Sequence, residues 1–140
     1  MTWLLLELAH NPKVQQTLRT EIEDVLNQNY GILTYDALKN MEYLDMCCLE
    51  TLRKYPPAGM VSRLCVRGCQ LKGGLKIEPD TQIFVPVLGM HRDPEYFPEP
   101  DKFLPERFDP RKESGRPKHT FLAFGEGPRM CIGESLFLIP

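Results

Sequence analysis

Apolar residues recur at helical spacing through the first half of the chain. Leu4, Leu5, Leu8 and Ala9 gather near one side of a first helix. Asn11-Pro12 reads as an N-cap followed by proline at the first helical position, where a missing amide costs nothing. The helix it opens runs to about Asn27, with Val14, Leu18, Ile22, Val25 and Leu26 as its apolar stripe, and Asn29-Tyr30-Gly31 ends it. Thr34 caps a short turn through Leu38. A longer helix follows from about Met41 to Tyr55, with Leu44, Cys48, Leu49 and Leu52 inward. Pro56-Pro57 stops it, because neither proline has an amide hydrogen and a residue before proline disfavours the α region.

The pattern then changes period. Leu64-Cys65-Val66, Leu75-Lys76-Ile77 and Gln82-Ile83-Phe84-Val85 read as short strands, separated by Gly73-Gly74 and Glu78-Pro79-Asp80. Pro86 marks a strand end or an edge. From His91 to His119 periodicity disappears, and Pro94, Pro98, Pro100, Pro105, Pro110 and Pro117 punctuate the stretch. Phe97, Phe103 and Phe108 are too apolar for a linker, so this segment is expected to be ordered coil lying against a body of protein. The fold class expected is mainly α with a small β component. The opening inside an apolar helical pattern and the close on Leu136-Phe137-Leu138-Ile139-Pro140, an apolar tail with nothing to pack on, suggest that both ends are cut.

Composition narrows the function classes. The chain has 140 residues, 42% hydrophobic and 26% charged, which fits a globular domain and excludes collagen, coiled coil and disorder. Its net charge of −2 gives no electrostatic case for binding nucleic acid. The run Trp3-Leu4-Leu5-Leu6 is broken by Glu7, far short of the roughly 20 residues of a membrane span. No positive charge precedes it, unlike a signal peptide. Cys47, Cys48, Cys65, Cys69 and Cys131 are odd in number and include no Cys-x-x-Cys pair, which fits a reducing compartment better than a disulfide framework.

The candidate chemistry lies near the end, in Phe124-Gly125-Glu126-Gly127-Pro128-Arg129-Met130-Cys131-Ile132-Gly133. Glycines and a proline make a tight loop ending at one cysteine, and the apolar run beyond it reads as the start of a helix. A thiolate there would receive backbone N–H groups and the positive end of a helix dipole, both of which favour the anion a metal requires. Glycine beside the sulfur lets a large planar group approach the backbone. The segment resembles the cysteine-ligand loop of the haem-thiolate monooxygenases, the cytochrome P450 family. Its pattern Phe-x-x-Gly-x-Arg-x-Cys-x-Gly is matched by Phe124, Gly127, Arg129, Cys131 and Gly133. Five specified positions arise by chance on the order of 10⁻⁵ times in such a chain. The competing explanation is a buried structural cysteine beside a glycine turn.

Two further matches keep the family's order. Glu50-Thr51-Leu52-Arg53 resembles its Glu-x-x-Arg helix, and residues three apart share a helix face. Glu113-Ser114-Gly115-Arg116 and Glu126-Gly127-Pro128-Arg129 share that spacing but fall outside any expected helix. Pro105-Glu106-Arg107-Phe108 resembles the coil segment whose arginine joins that pair. The resemblance therefore implies structural roles for Glu50, Arg53 and Arg107, with the carboxylate held between two forked guanidiniums. The alternative is a solvated surface pair worth about 0–1 kcal/mol. Asn11-Pro12 after Glu7-Leu8-Ala9, and His91-Arg92-Asp93-Pro94 before Phe103-Leu104, also follow the family.

By this resemblance the chain, residues 1–140, is the C-terminal part of one cytochrome P450 domain, similar to the eukaryotic microsomal branch and its insect and vertebrate detoxifying groups. The resemblance implies haem b ligated by Cys131, with Arg129 and Arg63 at propionate-binding positions. It also implies a monooxygenase that inserts one oxygen atom from O₂ into a small apolar substrate. NADPH-cytochrome P450 reductase, with cytochrome b5 as a second donor, would supply electrons. The expected location is the cytosolic face of the endoplasmic reticulum membrane, reached through an N-terminal anchor outside these residues. Thr2 comes too late to stand for the family's oxygen-handling threonine, and Phe137 replaces a usual small residue. Two alternatives stay open: a haem-thiolate isomerase or dehydratase acting on peroxides, and a non-enzymatic metal-binding module using Cys65, Cys69, His91 or His119. The chain alone is expected neither to hold haem well nor to turn over substrate.

Overall fold

The computed structural model describes residues 1–112 and 115–133. Its helices are α1 (Thr2–His10), α2 (Pro12–Gln28), α3 (Tyr35–Lys39), α4 (Glu42–Lys54) and α5 (Val87–His91). The strands are β1 (Val61–Leu64), β2 (Cys69–Gln70), β3 (Lys76–Ile77) and β4 (Gln82–Val85). Two 3₁₀ turns, Pro105–Phe108 and Gly127–Arg129, interrupt the coil that follows. The molecule is mainly helical with a few short strands, as the hydrophobic pattern implies.

One cluster joins the first two helices, α4 and the proline-rich coil: Leu4 and Leu8 from α1, Leu18 from α2, Cys47 from α4 and Phe103 from the coil are all buried. A second, of Val25, Ala37 and Met41, seats α3 against the end of α2. The coil between His91 and His119 does lie against the body of the protein. Phe97 and Phe103 are buried within it and Phe108 is half-buried.

Two helix faces differ from expectation. On α1 the buried residues are Leu4, Glu7 and Leu8, while Leu5 is exposed. On α4 they are Met46, Cys47, Glu50, Thr51, Leu52 and Arg53, so the inward face is rotated towards polar residues and Cys48 and Leu49 are only half-buried. In both helices a buried ion pair decides the facing. Glu7 Oε1 lies 2.7 Å from Lys54 Nζ and accepts from the Tyr55 hydroxyl at 2.6 Å. Burial pushes the Glu7 carboxyl up, but the hydrogen bonds from Lys54 and Tyr55 and the Lys54 charge outweigh it and leave it below its usual range.

Asn11 also departs from its expected role. Its side chain does not cap α2; Nδ2 donates to the Glu7 carbonyl at 2.8 Å, at the end of α1. The start of α4 is instead served from a distance, since the Glu21 carboxylate on α2 accepts from Tyr43 N at 2.7 Å and Leu44 N at 2.9 Å. Thr34 does cap α3, its hydroxyl accepting from Ala37 N at 3.1 Å.

The strands form two antiparallel ribbons, β1 with β4 and β2 with β3. β1 lies at Val61–Leu64 rather than Leu64–Val66, because its partner ends at Gln82, paired with Leu64. Beyond that pair Cys65 N still donates to the Thr81 carbonyl at 2.9 Å and Asp80 N to the Cys65 carbonyl at 2.7 Å, but Asp80 adopts φ +61° and the regular ladder stops. β2 carries no apolar run to reveal it. Pro86 ends β4 and stands before α5, a five-residue helix hidden by its glycine, whose Val87 and His91 are buried one turn apart.

Candidate functional site

Glu50 and Arg53 sit one turn apart on α4, and both side chains are wholly buried. They meet as a fork: Nε donates to Oε2 at 2.7 Å and Nη2 to Oε1 at 2.9 Å. Charge-assisted, two-pronged bonds of this kind fix orientation as well as adding energy. The remaining donor capacity of Arg53 goes to the coil. Nη1 donates to the His91 carbonyl at 2.8 Å and Nη2 to the Pro100 carbonyl at 2.7 Å. Glu50 Oε1 also accepts from Leu104 N at 3.0 Å. One buried pair thus fastens α5 and the coil to α4.

Arg107 joins this cluster differently from the expectation. Its Nε lies 3.4 Å from Glu50 Oε1, an ion-pair distance, but makes no hydrogen bond there. The 3₁₀ turn Pro105–Phe108 aims its Nη2 at the Glu99 carbonyl instead, at 2.8 Å. The carboxylate is therefore held by one fork and one backbone amide, with Arg107 as a second neighbouring charge. Arg116 closes the group, its guanidinium 4.8 Å from the ring centres of both Phe97 and Phe108. Its role was invisible in the sequence, where it figured only as an unplaced Glu-x-x-Arg match.

His91 is the buried residue whose role the sequence concealed. It is completely buried, and both ring nitrogens are engaged. Leu122 N donates to Nε2 at 2.9 Å, so the ring proton resides on Nδ1, which faces the Arg53 carbonyl at 3.2 Å. Burial, followed by the charges of Arg53 and Arg116, lowers its pKa to about 4 despite the bond to the Arg53 carbonyl. It is neutral at physiological pH and has no lone pair left for a metal.

Beyond Leu122 the chain enters the cysteine loop. Gly125 N donates to the Leu122 carbonyl at 3.0 Å, and Cys131 N to the Phe124 carbonyl at 2.8 Å, closing the loop on itself. Gly125 and Gly127 adopt φ +70° and +79°, which a side chain would strain. Phe124 is half-buried, whereas Arg129 and Cys131 are exposed. A Cβ at Gly133 would stand 3.7 Å from Cys131 Sγ, so its absence keeps that flank of the thiol lean. The loop amide of Cys131 serves the Phe124 carbonyl rather than the sulfur. The helix expected after Cys131, with Phe137 and the apolar tail, lies outside the described residues, as do Glu113 and Ser114.

The other cysteines are poorer ligand candidates. All five are free thiols, and Cys47 and Cys65 are buried. Burial foremost pushes the Cys47 thiol up to about 12 and that of Cys48 up to about 11. Cys65 and Cys69 place their sulfurs 4.0 Å apart, and His119 pairs with Glu126. Among the described residues no three His, Cys, Asp or Glu side chains converge on a metal position. Arg63 is exposed on β1 and donates to the neighbouring Ser62 carbonyl at 2.8 Å. An apolar cleft of about 620 Å³ between α1, α4 and α5 is lined by Trp3, Leu44, Leu52 and Tyr55, but by none of the cysteine loop. No helix among the described residues is long and apolar enough to cross a membrane.

The family model for cytochrome P450 matches residues 1–136. Cytochrome P450 6l1 of Blattella germanica is 44% identical over 140 residues, covering 99% of this chain and 28% of that protein. Probable cytochrome P450 6a13 of Drosophila melanogaster is 46% identical over 135 residues, 96% of this chain and 27% of its own length. Cytochrome P450 3A19 of Capra hircus aegagrus is 44% identical over 139 residues, 99% of this chain and 63% of that sequence. The chain thus spans little more than a quarter of the insect relatives it matches. Matched along nearly its whole length, the chain belongs to the cytochrome P450 family.

Proposed function

We propose that this chain is the C-terminal, cysteine-bearing part of a haem-thiolate monooxygenase acting on a small apolar substrate. The observation that carries this reading is the free, exposed thiol of Cys131 at the end of a self-closed glycine loop. Its surroundings would suit a flat, largely apolar macrocycle whose metal takes a soft sulfur donor. Ile132 is fully exposed and Met130 is 45% exposed beside it, and Gly133 presents no side chain. Cys131 would ligate the iron, while Phe124, Gly127 and Gly133 shape the loop. Arg129, on the exposed 3₁₀ turn, would offer its planar fork to a propionate, and Arg63 on β1 would offer a second. Haem b, when bound, supplies oxygen activation, and a thiolate ligand donates electron density that favours O–O cleavage.

The rest of the chain contributes position. Glu50 and Arg53 hold the coil on α4, and Arg107 adds a second cation. Electrons would come from an NADPH-dependent reductase, with cytochrome b5 as a further donor, and the whole protein would sit on the cytosolic face of the endoplasmic reticulum membrane. The resemblance to microsomal-type relatives supports both. The test is the carbon monoxide difference spectrum of the reduced full-length protein. Cys131→Ala is expected to abolish the thiolate-type band; its survival would show that another residue ligates the iron.

A further inference from the structure

We propose that His91 is a positioning residue for the Cys131 loop, coupling it to the buried Glu50–Arg53 pair through the Leu122 amide. The inference rests on reading Cys131 as the haem ligand. His91 and Arg53 bond reciprocally: Arg53 Nη1 donates to the His91 carbonyl at 2.8 Å, and His91 Nδ1 faces the Arg53 carbonyl at 3.2 Å. The ring is therefore oriented by a rigid helix. Aromatic neighbours also confine it, with Phe121 stacked at 5.2 Å and Phe97 edge-on at 5.9 Å. Its remaining nitrogen, Nε2, accepts from Leu122 N at 2.9 Å across 31 residues of sequence.

Leu122 is the residue at which the loop is gripped. Its amide is held by His91 and its carbonyl by Gly125 N. Two residues later, the Phe124 carbonyl receives the Cys131 amide. A continuous series of hydrogen bonds and two short backbone steps thus leads from the Glu50 carboxylate to the residue bearing the thiol. Groups that engage a metal must be held to within about 0.5 Å, which a loop achieves only when a supporting residue is itself locked. The bond accepted by Nε2 supplies that lock, since among the described residues it is the ring of His91 that satisfies the half-buried Leu122 amide.

The two nitrogens can be tested separately in the haem-loaded full-length protein. His91→Phe keeps the ring between Phe97 and Phe121 but loses both bonds. His91→Gln places an acceptor near the position of Nε2, and His91→Asn places a donor near that of Nδ1. The expected thiolate-type fraction in the reduced carbon monoxide spectrum falls in the order wild type, Gln, Asn, Phe. Amide hydrogen exchange across residues 119–131 should accelerate about tenfold in Asn and Phe, the scale of one lost net hydrogen bond, and little in Gln. Equal behaviour of Gln and Asn in both measurements, or a Phe variant indistinguishable from wild type, would overturn the proposal. Should Phe fail to fold, the order of Gln and Asn decides. Failure of the ligand assignment itself looks different, because the band would then persist in Cys131→Ala.

Discussion

Removing the Glu50 carboxylate leaves Arg53 with its charge, its complete burial and only carbonyl partners. Breaking such a pair from one side costs about 3–5 kcal/mol, so Glu50→Gln should lower stability by that order in chemical unfolding of the protein. Arg53→Lys should be nearly as harmful, because an ammonium cannot span the carboxylate, the His91 carbonyl and the Pro100 carbonyl at once. His91 adds a pH dependence whose sign is determined by its lowered pKa. An unfolded histidine takes up a proton as pH falls below about 6.5, whereas folded His91 resists until about 4. The unfolded state binds more protons across that window, so this contribution is complete above pH 6.5 and is lost as pH falls towards 4. Stability measured over pH 4–6.5 should show wild type losing about 3 kcal/mol relative to His91→Gln, which has no titrating ring. Equal slopes would show that His91 is not held neutral.

Helix ends illustrate what local sequence can and cannot announce. Thr34 caps α3 through a bond spanning three residues, and Thr34→Ala should cost about 1 kcal/mol in the same unfolding measurement. Glu21 serves two orphan amides of α4 from 22 and 23 residues away. Glu21→Ala should cost about 1–2 kcal/mol, since it loses both bonds and a negative charge at the helix's positive end. The first cap is legible because its donor and acceptor are sequence neighbours. The second is not, because it exists only once α2 has packed on α4. Asn11 differs for a local reason: its amide donates to the Glu7 carbonyl four residues back, at the end of α1, so the side chain is committed there and does not cap α2.

Across the whole molecule, the proline-rich coil acts as a strap whose course is determined by a few anchors. Phe103 enters the cluster of Leu4, Leu8, Leu18 and Cys47. Phe103→Ala should cost about 3–5 kcal/mol by opening a cavity there. It should also loosen the segment that leads to the cysteine loop, so haem loss from the full-length protein should accelerate when followed by transfer to an acceptor. On the proposed reading, the isolated chain supplies Cys131 as its single haem ligand and contacts one face of the macrocycle. Titration of haem into it should show weak, substoichiometric uptake, and tight one-to-one binding would contradict this reading.

The candidate site residues were legible where they stand close together in the chain. Phe124, Gly127, Arg129, Cys131 and Gly133 form one short motif, whereas the spacing of Glu50 and Arg53 is shared by two other pairs, and only the helical pattern around them and their place ahead of Pro56 singled them out. Apolar periodicity likewise disclosed α2 and the extent of α4, but not the inward face of α4, which Glu50, Thr51 and Arg53 share with Met46, Cys47 and Leu52. What remained hidden depended on distance along the chain. The engagement of Arg107 as a nearby charge, the burial of Glu7, and the two bonds of His91, to partners 38 and 31 residues away, leave no local trace. A polar side chain looks the same in sequence whether it faces water or a distant carbonyl. Only the packed structure decides which, by removing the water and supplying the partner.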